Sequence, residues 1–340
     1  MGRAVATYVW AYSQKEQGVS TLSTARERLE RRKTGTTWLA KLREPTLKGI
    51  ARREALTGYL FVAPTLLGIL VFSAGPVIAS LGLSFFSWNV FSPAQLVGFA
   101  NYQRLFGDTR VLISFANTLR LVLALVLLEL LCALLLAMAL EGTRPAWLRY
   151  FFRTAFFFPL LMSGAAAAIA WSYMLHKEFG VVNYYLGLLW IPKIPWLASA
   201  RWALPAIVIV YIWRQAGFYM VLFMGGLSNM PQEVLDAARV DGATGWRRLW
   251  HIVLPLLSPT VFFAAIIGVI GALQLFDEPY IMTRGGPGDA TRTAVMTMYE
   301  AAFKNLELGY GSAIALLLFV LILVVTLTQF WAGERFVFYQ

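Results

Sequence analysis

The sequence predicts an all-α integral membrane protein with six transmembrane helices. Charged residues make up only 14% of the 340 residues, against about 25% in an ordinary soluble domain. Residues of the hydrophobic set make up 59%, and mean hydropathy is +0.63. Most telling are six apolar segments at roughly 57–84, 112–140, 152–175, 203–227, 256–281 and 310–332. Each approaches or exceeds the ~20 residues that an α-helix needs to cross ~30 Å of hydrocarbon. The helices and their loops use up the length, which leaves no room for a soluble catalytic domain of ordinary size.

Ahead of the first segment, residues 1–55 form a polar, basic tail. Its run Arg26-Glu27-Arg28-Leu29-Glu30-Arg31-Arg32-Lys33 pairs opposite charges three and four apart, which supports a short solvated helix. The expectation is a cytoplasmic tail near anionic lipid. The apolar patch Val5–Tyr12 is too short to serve as a signal peptide. Pro64, Pro76, Pro159 and Pro205 fall inside predicted spans, where neighbouring helices can satisfy the backbone groups that proline frees. Phe151, Phe152, Phe156, Phe157 and Phe158 are read as packing or lipid-facing residues. Residues 333–340 form a short tail.

The loops set the orientation. With the N-terminus inside, the cytoplasmic segments carry 12 Lys/Arg in the tail, three around 141–153, three in 228–255 and one at the end. The other face carries two in 85–111, three in 176–202 and three in 282–309. This excess places both termini in the cytoplasm, and it explains the net charge of +11 without nucleic-acid binding. A single cysteine, Cys132, lies in an apolar run, so no intrachain disulfide or thiolate metal cage is expected. The two histidines, His176 and His251, are assigned to loops on opposite faces. No metal site and no catalytic residues are predicted.

The most informative stretch is the cytoplasmic loop Met230–Pro255. Pro231 suits a first helical turn, and Glu233 and Asp236 lie where the helix dipole favours acids. Ala237 and Ala238 leave the backbone open to close approach, and Gly242 can end the helix with a positive φ. A second amphipathic stretch follows, with Trp246, Leu249 and Trp250, before Pro255 and Pro259 open the fifth span. From the residues, this is a helix, a glycine turn and a helix lying parallel to the membrane. It serves either as an ordinary interfacial element or as a plug for a groove in a partner.

Asp236-Ala237-Ala238-Arg239-Val240-Asp241-Gly242-Ala243, followed by Ile252-Val253-Leu254-Pro255, resembles the "EAA" loop of binding-protein-dependent ABC importer permeases, with Asp236 in place of the first Glu. Val97-Gly98-Phe99-Ala100-Asn101-Tyr102, Asp108 and Asn117-Thr118 look like the first external loop of the carbohydrate-uptake branch. Thr283-Arg284-Gly285-Gly286-Pro287-Gly288, with Thr291, Tyr299, Ala302-Phe303 and Gly309-Tyr310-Gly311, is similar to its last external loop. The resemblance covers residues 56–332 and implies the six-helix, type I permease fold of the maltose-type subfamily. It implies that Glu233, Asp236, Ala237, Ala238, Asp241, Gly242, Ala243, Leu249 and Pro255 couple the chain to an ATPase. The implied partners are a second permease, a cytoplasmic ATPase dimer and an extracytoplasmic solute-binding protein, in a bacterial or archaeal cell membrane.

No Gly-x-x-x-x-Gly-Lys-[Ser/Thr] occurs in the sequence, so ATP and Mg are expected in the partner ATPase and no cofactor is expected in this chain. Polar groups within the spans are candidates for the solute route, because each is costly in hydrocarbon unless it has a function or a partner. These are Arg214, Gln215, Gln274, Asp277, Glu278 and Tyr280, with Glu129 in the second span. The other assignment pairs Arg214 and Glu129 with neighbouring helices and leaves Asp277 and Glu278 at the interface. Two further functions compete. An ion-coupled secondary transporter would show internal repeats, which are not evident. A membrane enzyme would need converging histidines and acids. Among solutes, a sugar and glycerol phosphate both fit the resemblance.

Overall fold

The computed structural model describes residues 47–142 and 145–336. Most of the basic tail, with the Arg26–Lys33 run, and the last four residues lie outside the described residues. The chain divides into two compact units, Met1–Pro76 and Val77–Gln340. In the first, α1 (Leu47–Ile69) passes through Pro64 into a π-turn, Leu70–Ala74. Helix α2 (Gly75–Leu83) follows, most of it belonging to the second unit, and the apolar stretch Glu54–Leu83 is long enough to span a bilayer.

The second unit holds the remaining spans. The long helices α4 (Thr109–Glu141) and α8 (Ala200–Ser228) form its central pair, with α11 (Leu254–Leu273) packed against both and α14 (Leu308–Phe336) against α11. Helices α4, α8 and α14 match the predicted spans to within a few residues, whereas α11 ends eight residues before the predicted end at 281. Leu121, Leu125, Ala206, Ile207, Val210 and Leu273 are fully buried in one apolar cluster. A second cluster, with Ala133, Tyr219, Phe223 and Leu257, continues it toward the Met230–Pro255 loop. Otherwise all-α, the described chain contains one two-residue antiparallel ladder, β1 (Phe86–Ser87) on β2 (Gln95–Leu96), with Phe86 opposite Leu96.

The third predicted span, 152–175, is not one helix. Helix α5 (Ala146–Phe157) runs into a 3₁₀ turn, Phe158–Leu161, and the chain then bends by 101° into α6 (Gly164–Met174). Pro159 lacks an N–H and ends the α-helical ladder. Met162 is extended, and Ser163 starts a new helix, its hydroxyl accepting a hydrogen bond from the Ala166 amide at 3.2 Å. Hydropathy is uniform across this break, which is why an apolar window does not register it. The described chain thus holds five continuous candidate spans, or six when the bent pair counts as one. Phe151 and Phe158 are exposed, and Phe152 stacks on Phe156, as expected of packing and lipid-facing rings.

The loop segments singled out in the sequence as external are ties between elements. Asn101, in α3 (Ala100–Gly107), donates to the carbonyls of Ser84 and Phe86 at 2.8 and 2.9 Å. Asp108 caps α4 by accepting from the Arg110 amide at 2.9 Å, and its other oxygen accepts from the Tyr310 hydroxyl at 2.9 Å. Asn117 donates to the carbonyl of Asp289 at 2.7 Å, and the Thr118 hydroxyl accepts from the Ala294 amide at 2.9 Å. Arg292 binds Asp289 at 2.6 Å and also Glu300. The loop between α6 and α8 carries α7 (Val181–Leu188). There Asn183 donates to Lys177 and Ile194 carbonyls and accepts from the Ile194 amide and Trp196 Nε1.

Candidate functional site

Two regions of the second unit bring predicted residues together. At one end, helix α9 (Gln232–Val240) follows Pro231 directly, with Glu233 in its first turn. Leu235 and Ala238 are buried, Leu235 within the apolar cluster that also holds Leu227, Leu249 and Val253. Glu233, Asp236, Ala237 and Val240 are exposed. The small-residue pair is therefore split, since Ala238 faces the protein's own interior and Ala237 faces outward. The helix ends as its composition dictates. Gly242 takes φ +71°, the Asp241 amide donates to the Ala237 carbonyl at 3.0 Å, and the Ala243 amide donates to the Ala238 carbonyl at 2.9 Å. These bonds satisfy carbonyls that the last turn would otherwise leave open.

The stretch after the turn differs from expectation. It is not a separate helix, because α10 (Gly245–Arg248) continues through a π-turn, Leu249–Val253, into α11. Pro255, which has no N–H to donate, comes directly after the π-turn, at the second residue of α11. Leu249 is buried, while Trp246 and Trp250 meet edge to face at 5.7 Å and stay exposed. His251 thus belongs to the opening of the fifth span rather than to a free loop. Helix α9 rests on apolar side chains and is joined by the four residues 241–244 to the continuous helical stretch that begins at Gly245. A cavity of about 400 Å3 lies beneath, lined by Met138, Glu141, Leu227, Leu235, Arg248 and Leu249.

The second region is polar and lies on α8 and α11. Helix α11 stops at Leu273, and Gln274 to Phe276 are non-helical before α12 (Asp277–Met282). Non-helical backbone at membrane depth is stable only where it is buried in protein or lines a cavity. Both conditions hold here. The Leu275 carbonyl accepts from the Thr293 hydroxyl at 3.0 Å, and the turn borders a cavity of about 300 Å3. Arg214, Gln215, Gln274, Asp277 and Glu278 all line it, as do Tyr211, Gly271 and Phe276. Arg214 Nη2 lies 2.9 Å from Glu278 Oε1, and Glu278 is 1% exposed. Five of the six predicted route residues therefore converge.

The sixth, Tyr280, does not line the cavity. It stacks on Phe276 at 4.8 Å and meets Tyr299 edge to face at 5.5 Å. Lys304 Nζ lies 5.0 Å from its ring centre. The hydrogen bond from Lys304 to Glu300 keeps that ammonium's pKa above its ordinary value. Glu129 is fully buried, and neither carboxylate oxygen has a hydrogen-bond partner among the described residues. Sequence reasoning missed Tyr211 and Gly271 on the cavity wall. It also missed Gly164, where a Cβ would overlap the Asp277 carboxylate. The Ser163-Gly164 pair after Pro159 was the available sign that a helix begins there against a close neighbour.

The sequence model of the family described as "Binding-protein-dependent transport system inner membrane component" matches residues 129–337. The chain is 35% identical over 275 residues to the sulfoquinovosyl glycerol transport system permease protein SmoG of Agrobacterium fabrum, covering 80% of this chain and 89% of that one. It is 33% identical over 284 residues to the trehalose/maltose transport system permease protein MalF of Thermococcus litoralis, covering 83% and 95%. It is 32% identical over 286 residues to the sn-glycerol-3-phosphate transport system permease protein UgpA of Agrobacterium fabrum, covering 83% and 96%. The fold matches a chain of a bacterial ABC transporter involved in the import of the acidic polysaccharide alginate. The TM-score is 0.74 at 23% identity, covering 86% of this chain and 99% of that one. With its apolar spans, its α9 loop and these matches, the chain belongs to the binding-protein-dependent transport system inner membrane components, the membrane-embedded permeases of ABC importers.

Proposed function

We propose that this chain forms half of the translocation pathway of an ATP-driven importer for a sugar or other polyhydroxylated solute, working by alternating access with both termini in the cytoplasm. The observation that carries the proposal is the outer face of α9. Glu233, Asp236, Ala237 and Val240 are exposed on a short helix that is pinned by Leu235 and Ala238 and is linked through the Gly242 turn to α10, which continues into α11. A partner ATPase that grips this face can transmit its closure to the helix that carries Gln274 and the cavity. The ATPase supplies ATP and Mg chemistry, a second permease completes the pathway, and a solute-binding protein delivers the solute from outside.

A carbohydrate-like solute is favoured by the relatives, which include permeases of sulfoquinovosyl glycerol, trehalose/maltose and sn-glycerol-3-phosphate transport systems. Their shared chemistry is a hydroxylated carbon chain. The cavity offers two amides and a carboxylate for hydroxyl groups beside the Phe276 ring, a combination that suits sugars.

The test is co-purification from detergent-solubilised membranes, with mass spectrometry of the captured chains, repeated with Gly242→Asp. A Cβ at Gly242 meets no atom within 4 Å, so the substitution costs only the positive φ, about 1–2 kcal/mol, and alters the presented face. Recovery of a second permease and an ATPase, with the ATPase lost in the variant, supports the proposal. Purification of the chain alone, with solute uptake independent of ATP, would overturn it in favour of an ion-coupled carrier.

A further inference from the structure

The cavity at the unwound turn has an uneven charge balance. One cation, Arg214, and two carboxylates, Asp277 and Glu278, line it. Arg214 commits both Nε and Nη2 to Glu278 Oε1, at 3.0 and 2.9 Å, so this pair is neutral as a unit. Gln215 accepts weakly from Arg214 Nη1 at 3.4 Å and, like Gln274, brings no charge. Asp277 is partly exposed to the cavity, and among the described residues no Lys or Arg lies within ion-pair distance of it. Arg284 and Lys304, the other cations nearby, sit over the ring of Tyr280, which is not part of the cavity wall. The lining therefore carries one uncompensated negative charge, that of Asp277.

We propose that Asp277 makes this cavity selective by charge, so that it accepts uncharged polyhydroxylated solutes and disfavours those bearing a carboxylate, sulfonate or phosphate. The inference rests on the reading that the cavity lies on the solute route. A hydroxyl can donate to the Asp277 carboxylate, whereas an anion placed beside it meets a like charge between low-dielectric walls. Such walls focus the field and strengthen the repulsion. The position of Asp277 is held from behind, because Gly164 leaves just the space that its carboxylate occupies.

The local potential can be read without knowing the solute. Cys132 is the only cysteine in the chain, so Cys132→Ser with Gln274→Cys places a single thiol on the cavity wall. In the intact transporter in membranes, its rates of reaction with a cationic and an anionic methanethiosulfonate reagent are measured and normalised to the same rates for free 2-mercaptoethanol. The expected result is a normalised preference for the cation of roughly tenfold, abolished by adding the isosteric Asp277→Asn. Equal normalised rates, or a preference that Asp277→Asn leaves unchanged, would overturn the selectivity. Solute-binding-protein-stimulated ATP hydrolysis by the same modified complex tests the underlying reading separately. Its loss on modification supports a cavity on the route, and full retention would overturn both the route and the selectivity built on it.

Discussion

Arg214 on α8 and Glu278 on α12 form a charge pair through a single carboxylate oxygen, with Nε and Nη2 at 3.0 and 2.9 Å. The pair ties the central helix to the short helix beyond the unwound turn, and it fixes one wall of the cavity. The other Glu278 oxygen is buried without a hydrogen-bond partner among the described residues. An arrangement of this kind is weak evidence for stability taken as a whole, but breaking one side of it is costly.

Glu278→Gln should therefore lower the thermal stability of the detergent-solubilised protein. Leaving one partner of a buried pair uncompensated costs roughly 3–5 kcal/mol, and Arg214, at 16% exposure, keeps some access to solvent that softens the loss. Combining Glu278→Gln with Arg214→Met should recover much of it. Thermal unfolding of the single and double variants checks this, and additive losses would show that the two side chains do not act as a pair.

The close approach of α8 to α5 at Gly217 gives a second expectation. A Cβ there would overlap the Phe156 backbone carbonyl, whereas a Cβ at Gly225 on the same helix meets nothing within 4 Å. Gly217→Ala should lose about 1–3 kcal/mol through overpacking, and Gly225→Ala should be neutral or gain up to ~1 kcal/mol from helix propensity. The yield of monodisperse protein and its melting temperature separate the two variants.

Asn117 offers a test of the outer loop. It donates to the carbonyls of Asp289 and Arg292 at 2.7 and 3.3 Å, 172 and 175 residues away along the chain. Asn117→Ala leaves the buried Arg292 carbonyl and the part-buried Asp289 carbonyl without this donor, at about 1–3 kcal/mol. Limited proteolysis should then cut within residues 283–293 faster than in the parent protein, while capture of partner chains is retained.

Leu235 anchors α9, being 7% exposed and packed in the cluster with Leu249 and Val253. Leu235→Ala should cost about 2–5 kcal/mol locally, freeing α9 from the bundle while the apolar spans stay folded. Hydrogen exchange should rise in Gln232–Val240 and leave the amides of α4 and α8 protected. A uniform rise throughout would mean that α9 is not a separately anchored element.

The long spans were legible because crossing hydrocarbon demands one continuous apolar run, and α4, α8 and α14 satisfy that demand within a few residues at each end. The end of α9 was legible for a local reason, since Gly242 supplies the positive φ that the turn requires. The bend after Pro159 and the unwinding at Gln274–Phe276 were not. The first lies in an apolar window, and the second is held by a partner distant in sequence, Thr293 on the Leu275 carbonyl. The polar residues of the spans were found individually because each is expensive in lipid. Their pairing was not, since composition cannot say that Arg214 reaches Glu278 rather than Glu129. The same limit applies to Ala237 and Ala238, whose opposite orientations depend on how α9 rests on Leu249 and Val253.

The central claim is that the outward face of α9 is gripped by an ATPase, and cross-linking from Ala237 tests it most directly. With Cys132→Ser and Ala237→Cys, the single thiol is labelled with a photoreactive maleimide in membranes that contain the whole transporter. Illumination should yield an adduct whose tryptic peptides belong to a P-loop ATPase, and the same label at Leu96→Cys, an exposed position that the proposed topology puts on the opposite face, should not. No ATPase adduct from Ala237, in membranes where the intact transporter hydrolyses ATP, would contradict the account.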